Sequence, residues 1–300
     1  MLDKEDGIFC GLESIVNSYL LDPTWQRKVG TPSFAHDKNC LLLNKDSTPN
    51  FFKDKAEEMI LEMLIRIESN ILTRRALDLK EKNKSALSKF NWNFSYRDKK
   101  DPRTGEENDS PEVTLERAII QARRKLNNPM HKDKWAYQMP VATGLFGSNT
   151  DKSSNIDLVR MYPDGAFEMI ELKVGSNNPL YAAIEILLYG LAYAASRKLA
   201  VEIGYKIEEL EILKAQQIHL RVLAPRSFYD SRYNLAWLEN DLNKVLGQFS
   251  SKHGYHMTFG FYLLNYDWKP TSRPKEKDLD EINEAVNNIS PVTWGNTATP

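Results

Sequence analysis

Residues 155–174 constrain this chain more than any other stretch. Asn155-Ile156-Asp157-Leu158-Val159-Arg160-Met161-Tyr162 runs into Pro163-Asp164-Gly165, and Ala166-Phe167-Glu168-Met169-Ile170-Glu171-Leu172-Lys173-Val174 follows. Two apolar-rich runs around a turn triplet ending in glycine predict a β-hairpin. A three-residue loop with Gly in the left-handed region closes such a hairpin. In that register Tyr162 faces Ala166, and Asp157 falls opposite Glu171 on the same face of the sheet. Their Cβ atoms are then roughly 5 Å apart, an unfavourable placement for like charges. Lys173 follows two residues on and points the same way. Two carboxylates and an amine therefore meet inside an otherwise apolar hairpin. A divalent cation between the carboxylates accounts for this, because hard cations take oxygen ligands.

Asp157, thirteen intervening residues, then Glu171-Leu172-Lys173 resembles the PD-(D/E)XK nuclease superfamily. The resemblance covers roughly residues 109–225. It implies a mixed sheet flanked by helices, acidic residues that bind Mg²⁺, and a lysine that positions and activates the attacking water. On that resemblance Asp157 and Glu171 are the metal ligands, with the Leu172 carbonyl as a further ligand, and Mn²⁺ is expected to substitute.

Three neighbouring segments match the family's order. Upstream, Asp109-Ser110-Pro111-Glu112 opens a helix, with Ser110 as cap and Pro111 at the first helical position. Leu115, Ile119, Ala122 and Leu126 give its core stripe. The family often carries a glutamate on this helix that reaches the metal. Glu116, beside the stripe, is the first candidate and Glu112 its rival; either also reads as a solvated glutamate helped by the helix dipole. Next, Trp135 to Ala142 predicts a strand that Pro140 confines to an edge or a bulge. A polar loop from Gly144 to Ser154 follows. Its Lys152 reads either as a phosphate contact or as a solvated loop lysine.

Downstream, Leu180 to Ala195 predicts a helix that is apolar almost all round and so buried against the sheet. Glu185 interrupts it, which argues against a membrane span. Glu185 and Tyr189 are four apart and share a face. A buried carboxylate needs a partner or a metal. The RecB-like branch of the superfamily has Gln-x-x-x-Tyr here, near the active site, whereas this chain has Glu185-Ile186-Leu187-Leu188-Tyr189. Two readings stand together: a site-supporting pair, and a Glu–Tyr or Glu–Lys contact that holds helix to sheet. A strand at Gln217–Ala224, a helix at Leu235–Phe249 and a strand at Met257–Leu264 complete the pattern. It predicts an α/β fold with a mixed sheet flanked by helices, restriction-endonuclease-like on the resemblance.

Three regions are expected: a mainly helical N-terminal part with a charged linker (1–108), the core (109–268) and a polar tail (269–300). In the first, Leu12–Leu21 and Phe51–Leu79 read as helices, the second with Ile60, Met63, Leu64, Ile67, Ile71 and Leu72 as its stripe. Trp92, Phe94 and Tyr96 alternate with polar residues, as in a core-packed strand or a base-stacking platform. Lys80, Lys82, Lys84 and Lys89 read as backbone contacts or a solvated charged face. The tail has a short helix at Lys277–Asn288. A net charge of -1 excludes a bulk polyanion binder but not a local basic surface. Cys10 and Cys40 are the only cysteines, so no thiolate zinc cluster or disulfide framework forms and a reducing, cytoplasmic compartment is expected. His253 and His256 lack cysteine partners for zinc. No GxSxG and no Walker-type phosphate loop occurs.

The functional expectation is a Mg²⁺-dependent phosphodiesterase acting on nucleic acid, DNA first, with a homodimer as one way to cut both strands. A non-catalytic nucleic-acid-binding or interaction module on the same fold is the alternative.

Overall fold

The computed structural model describes residues 7–20, 55–80, 91–98, 110–125, 132–141, 155–174, 179–229, 234–266 and 276–294. In chain order these give α1 (Leu12–Leu20), α2 (Ala56–Lys80), α3 (Phe94–Asp98), α4 (Pro111–Lys125), β1 (Lys134–Pro140), β2 (Asn155–Met161), β3 (Phe167–Leu172), α5 (Pro179–Lys198), α6 (Ala200–Ile203), β4 (Gln217–Ala224), α7 (Ala236–Ser251), β5 (His256–Leu263), α8 (Glu276–Asn287) and β6 (Ser290–Pro291). The strands form one six-stranded mixed sheet in sequential order. β1, β2 and β3 run antiparallel, β3, β4 and β5 parallel, and β6 antiparallel to β5. The parallel steps are those bridged by α5 and α7, since a parallel neighbour needs a crossover and an antiparallel one only a turn.

Two apolar layers cover the sheet. On one face α5 and α7 pack with α1 and α2 behind them, in a core that runs from Ile8 and Leu12 through Met59 and Ile67 to Leu187, Leu220 and Leu242. The other face carries α4 and α8, with Leu115, Ile119, Leu158, Ile170, Leu172 and Ile282. The expected core stripe of α4 is buried at Leu115, Ile119 and Ala122; Leu126 lies outside the described residues. α5 is buried nearly all round. It has the length and composition of a membrane span, but its surface is covered by the rest of the fold. Gly190 lets it lie close on β4, because a methyl at that position would collide with Leu220.

The N-terminal helices share a continuous core with α5, through Ile8, Leu12, Met59 and Ile67. One expectation about this third needs correction. Residues 92–96 are not a strand. Trp92 is buried with a left-handed backbone (φ 55°), and Phe94 begins the short helix α3. The Trp92 indole donates to Ser196 at 3.1 Å and meets Tyr193 edge-on, while Phe94 meets Phe167 edge-on. Buried rings cannot stack on bases. In α2, Ile60, Met63, Leu64, Ile67 and Ile71 are buried as expected, but Leu72 is exposed. The charged linker at 99–108 and Lys82, Lys84 and Lys89 lie outside the described residues. In the tail, α8 packs on α4, fastened by Arg123, whose Nη1 donates to Asn283 at 3.0 Å and to Asn287 at 2.7 Å.

The turn end of the β2–β3 hairpin is held by ions. Asp133 accepts from Arg123 Nη2 at 3.0 Å, Arg160 Nε at 2.9 Å and the Trp135 indole at 2.8 Å. Glu168 meets Arg221 Nε at 3.3 Å and Arg160 Nη1 at 3.8 Å and accepts from the Tyr162 hydroxyl at 3.0 Å. The Arg160 guanidinium lies over the Tyr162 ring and that of Arg221 over Tyr262, a favourable use of aromatic faces.

Candidate active site

The hairpin has the register read from its sequence. Gly165 sits at φ 84°, its N–H donates to the Tyr162 carbonyl at 3.0 Å, and the Tyr162 N–H donates to the Ala166 carbonyl at 2.9 Å. Met161 pairs with Phe167, Arg160 with Glu168, Val159 with Met169 and Leu158 with Ile170. The next step brings Asp157 to Glu171, and there the ladder changes character. Asp157 Oδ2 accepts the main-chain N–H of Leu172 at 3.0 Å, so a side chain takes the place of a carbonyl.

Lys173 prolongs β3, its N–H bonded to the Leu223 carbonyl at 3.0 Å. Its Nζ lies 2.7 Å from Glu171 Oε1, 2.9 Å from Glu185 Oε2 and 3.9 Å from Glu112 Oε2. Glu185 reaches it from the middle of α5 and Glu112 from the first turn of α4. Helix α4 starts where expected: Pro111 is its first residue and the Ser110 hydroxyl accepts from the Val113 N–H at 3.5 Å. Glu116, one turn further along, is buried at 2 % exposure. It accepts from the Gln138 amide at 2.6 Å. The two glutamates that sequence reasoning set against each other thus both enter, Glu112 toward the lysine and Glu116 toward Asp157. Tyr189 is buried one turn after Glu185 and packs edge-on to Phe9.

Charge is the dominant physical feature. Among the described residues Lys173 lies within ion-pair distance of Glu171, Glu185 and Glu112, with Asp157 and Glu116 nearby; Arg97 and Arg117 also act on Glu116. Burial pushes the Asp157 carboxyl up to about 6, against the pull of Lys173 and the Leu172 N–H. Burial and then Asp157 push Glu171 well above the usual carboxylate range, and the same two causes raise Glu116. Burial alone would lower Lys173, but Glu171, Glu185, Glu112 and Asp157 outweigh it and hold the ammonium firmly protonated. The Tyr189 hydroxyl is raised by burial and then by Glu171, Asp157 and Glu185, which locates it beside the acids.

Among the described residues one oxygen each of Glu116 and Glu171 is buried with no hydrogen-bond partner. A buried carboxylate oxygen in that state is open to a donor or an ion. The donor set is all oxygen, the preference of a hard divalent cation, so the residues fit the Mg²⁺ that the resemblance implies. They do not form a finished cage: among the described residues no three His, Cys, Asp or Glu side chains are grouped to hold a metal. Glu171 is turned to Lys173 instead.

Lys152 lies outside the described residues. Gln138 went unnoticed in the sequence, where it is one polar residue in a mixed strand. Its signal is the backbone dihedral, φ 49° in the interior of β1, which a sequence does not display. Compared with protein families, with curated proteins and with solved structures, the chain matches none.

Proposed function

We propose that this protein is a metal-dependent nuclease, a Mg²⁺-requiring phosphodiesterase of the PD-(D/E)XK type acting on nucleic acid, DNA first, in the cytoplasm. One observation carries the reading: Asp157, Glu171 and Lys173 converge at the open end of an apolar hairpin, with buried carboxylate oxygens left unpartnered. A fold gains nothing from buried like charges; a phosphoryl-transfer site needs them.

Asp157 and Glu171 would hold the cation, with Glu116 and the Leu172 carbonyl completing its shell. A bound Mg²⁺ supplies Lewis-acid polarisation of the phosphate and a more acidic water. Lys173 would orient the attacking water and offset charge developing on the phosphoryl oxygens. Glu185 and Glu112 keep its amine protonated and aimed from two helices. Tyr189, buried one turn after Glu185, would support the site from the α5 side.

The test is calorimetric titration of Mg²⁺ and Mn²⁺ into the wild type and into Asp157→Asn/Glu171→Gln, with and without an oligonucleotide, followed by cleavage assays on linear, circular and single-stranded substrates. Binding lost in the double variant, with cleavage lost in parallel, is the expected result. Absence of binding even with the oligonucleotide would replace this reading with a non-catalytic nucleic-acid-binding module.

A further inference from the structure

Gln138 is one of two non-glycine residues with positive φ among those described, the other being Trp92. A left-handed residue inside a strand is unfavourable and persists where its surroundings demand it. What it does here is visible in the layers. Along β1, Ala136 and Met139, three apart, both belong to the core under α5, while Tyr137 belongs to the opposite one. Along β2, Ile156 and Val159 share the α5 core and Leu158 lies opposite. Strict alternation would separate each of those pairs. The register itself does not slip, since Tyr137 still faces Leu158 and Met139 faces Ile156. The alternation therefore breaks once on each strand, at Gln138 on β1 and at Asp157 on β2.

The break gives Gln138 a particular set of neighbours. Its amide nitrogen lies 2.6 Å from Glu116 Oε2 and 3.5 Å from Asp157 Oδ1, while its amide oxygen receives the Asn155 amide at 3.5 Å. Two acceptors on one side and a donor on the other leave a single sensible orientation for the amide. A short bond to a carboxylate is of the strong, charge-assisted kind. Glu116 comes from α4, packed on one face of the sheet, whereas Asp157 belongs to the sheet itself.

We propose that Gln138 is a positioning residue: its amide draws the Glu116 carboxylate to Asp157, so that an acid from α4 joins the cation site of the hairpin. This rests on the metal-dependent reading above. The left-handed backbone at 138 is the device that aims the amide, and Glu116 Oε1, buried and unpartnered, is what the arrangement leaves for the cation.

The experiment is Mn²⁺ calorimetry, with an oligonucleotide present, on wild type, Gln138→Gly, Glu116→Gln and the double variant, alongside melting temperatures. Glycine adopts positive φ freely, so Gln138→Gly relieves the backbone while it strands the buried Glu116 carboxylate, and the melting temperatures check that it stays folded. It should bind Mn²⁺ about tenfold more weakly, the usual cost of losing a residue that orients a ligand. The double variant should bind no more weakly than Glu116→Gln alone, because Gln138 acts through Glu116. Gln138→Met, which keeps the bulk and removes the amide, is carried through the same comparison and should show the same tenfold loss. Wild-type affinity in both Gln138 variants, or losses that add in the double variant, would overturn the inference and leave the nuclease reading standing. A wild type that binds no Mn²⁺ would overturn both.

Discussion

The β2–β3 hairpin carries a network of buried charges at each end, and the two are built on opposite plans. At the turn end, Asp133 and Glu168 are matched by Arg123, Arg160 and Arg221, with the Trp135 indole and the Tyr162 hydroxyl as further donors. Burial raises Asp133, but the Trp135 indole, Arg160 and Arg123 more than offset it, and the carboxyl ends below its ordinary value. At the open end, Asp157, Glu171 and Glu116 all end above theirs, and carboxylate oxygens go without partners. Both ends sit on the same two strands, so neither strand chemistry nor burial separates them. The balance of charge does: at the turn end three arginines face two acids, whereas at the open end Lys173 faces three glutamates with Asp157 and Glu116 nearby. A buried ion cluster that serves folding is balanced, whereas one that is held ionic against its own preference by the surrounding fold is available for something else.

The sharpest way to break this contrast is kinetic. Lys173→Met and Asp157→Asn should each lower nucleic-acid cleavage by about a hundredfold or more, while circular dichroism shows the wild-type fold. Collapse of the fold together with activity would make the open end as structural as the turn end. Asp133→Ala should do the reverse. It removes the buried carboxylate that Arg123 and Arg160 share, so urea denaturation should report a loss of about 3 kcal/mol, with Mn²⁺ affinity unchanged; a parallel fall in affinity would show that the networks are not independent. Next in size, Asp157→Asn should stabilise the cation-free protein at pH 7.5 by on the order of 1–3 kcal/mol, because it removes an ionised carboxylate from a site that disfavours it.

The smallest effect is a pH tilt, and its sign differs between the two ends. Asp157 is raised to about 6 from an ordinary value of 3.8. The folded state then binds the extra proton between those values, and its contribution to stability is lost as pH rises through about 6. Asp133 is lowered, so its contribution is present above its ordinary value and is lost as pH falls through the folded one. Thermal melts of cation-free protein should therefore show a downward contribution of about 2 °C as pH rises from about 4 to about 6. Asp157→Asn should remove it and Asp133→Ala should leave it in place.

Much of this was legible because its determinants are local. The Pro163-Asp164-Gly165 turn fixes the hairpin register, and the register alone delivers Asp157, Glu171 and Lys173 to one place. The Ser110-Pro111 start and the apolar periodicity locate α4, and continuous apolarity locates α5. The dispute between Glu112 and Glu116 was not resolvable from spacing, since one helical turn separates them and both reach the acids. Trp92 and Gln138 were missed for a shared reason: each has a left-handed backbone that its residue type does not announce. Alternation around Phe94 suggested a strand, but burial of Trp92 on Tyr193 and Ser196 overrides that local pattern.

The Trp92 main-chain N–H donates to the Pro140 carbonyl at 3.0 Å, and α3 packs along β1. β1 is an outermost strand, and it ends in a residue with no N–H to offer. The opposite margin is β6, only Ser290–Pro291, again ending in proline. Free strand margins invite other chains to add themselves, and folds guard against this with prolines, irregular backbones and coverings. Both margins here are guarded, and the dihedral at Gln138 roughens one of them in its interior. Self-association by a sheet continuous across two molecules is disfavoured on either side. Aggregation by strand addition at β1 is resisted by the same irregularity that turns Gln138 toward the acids.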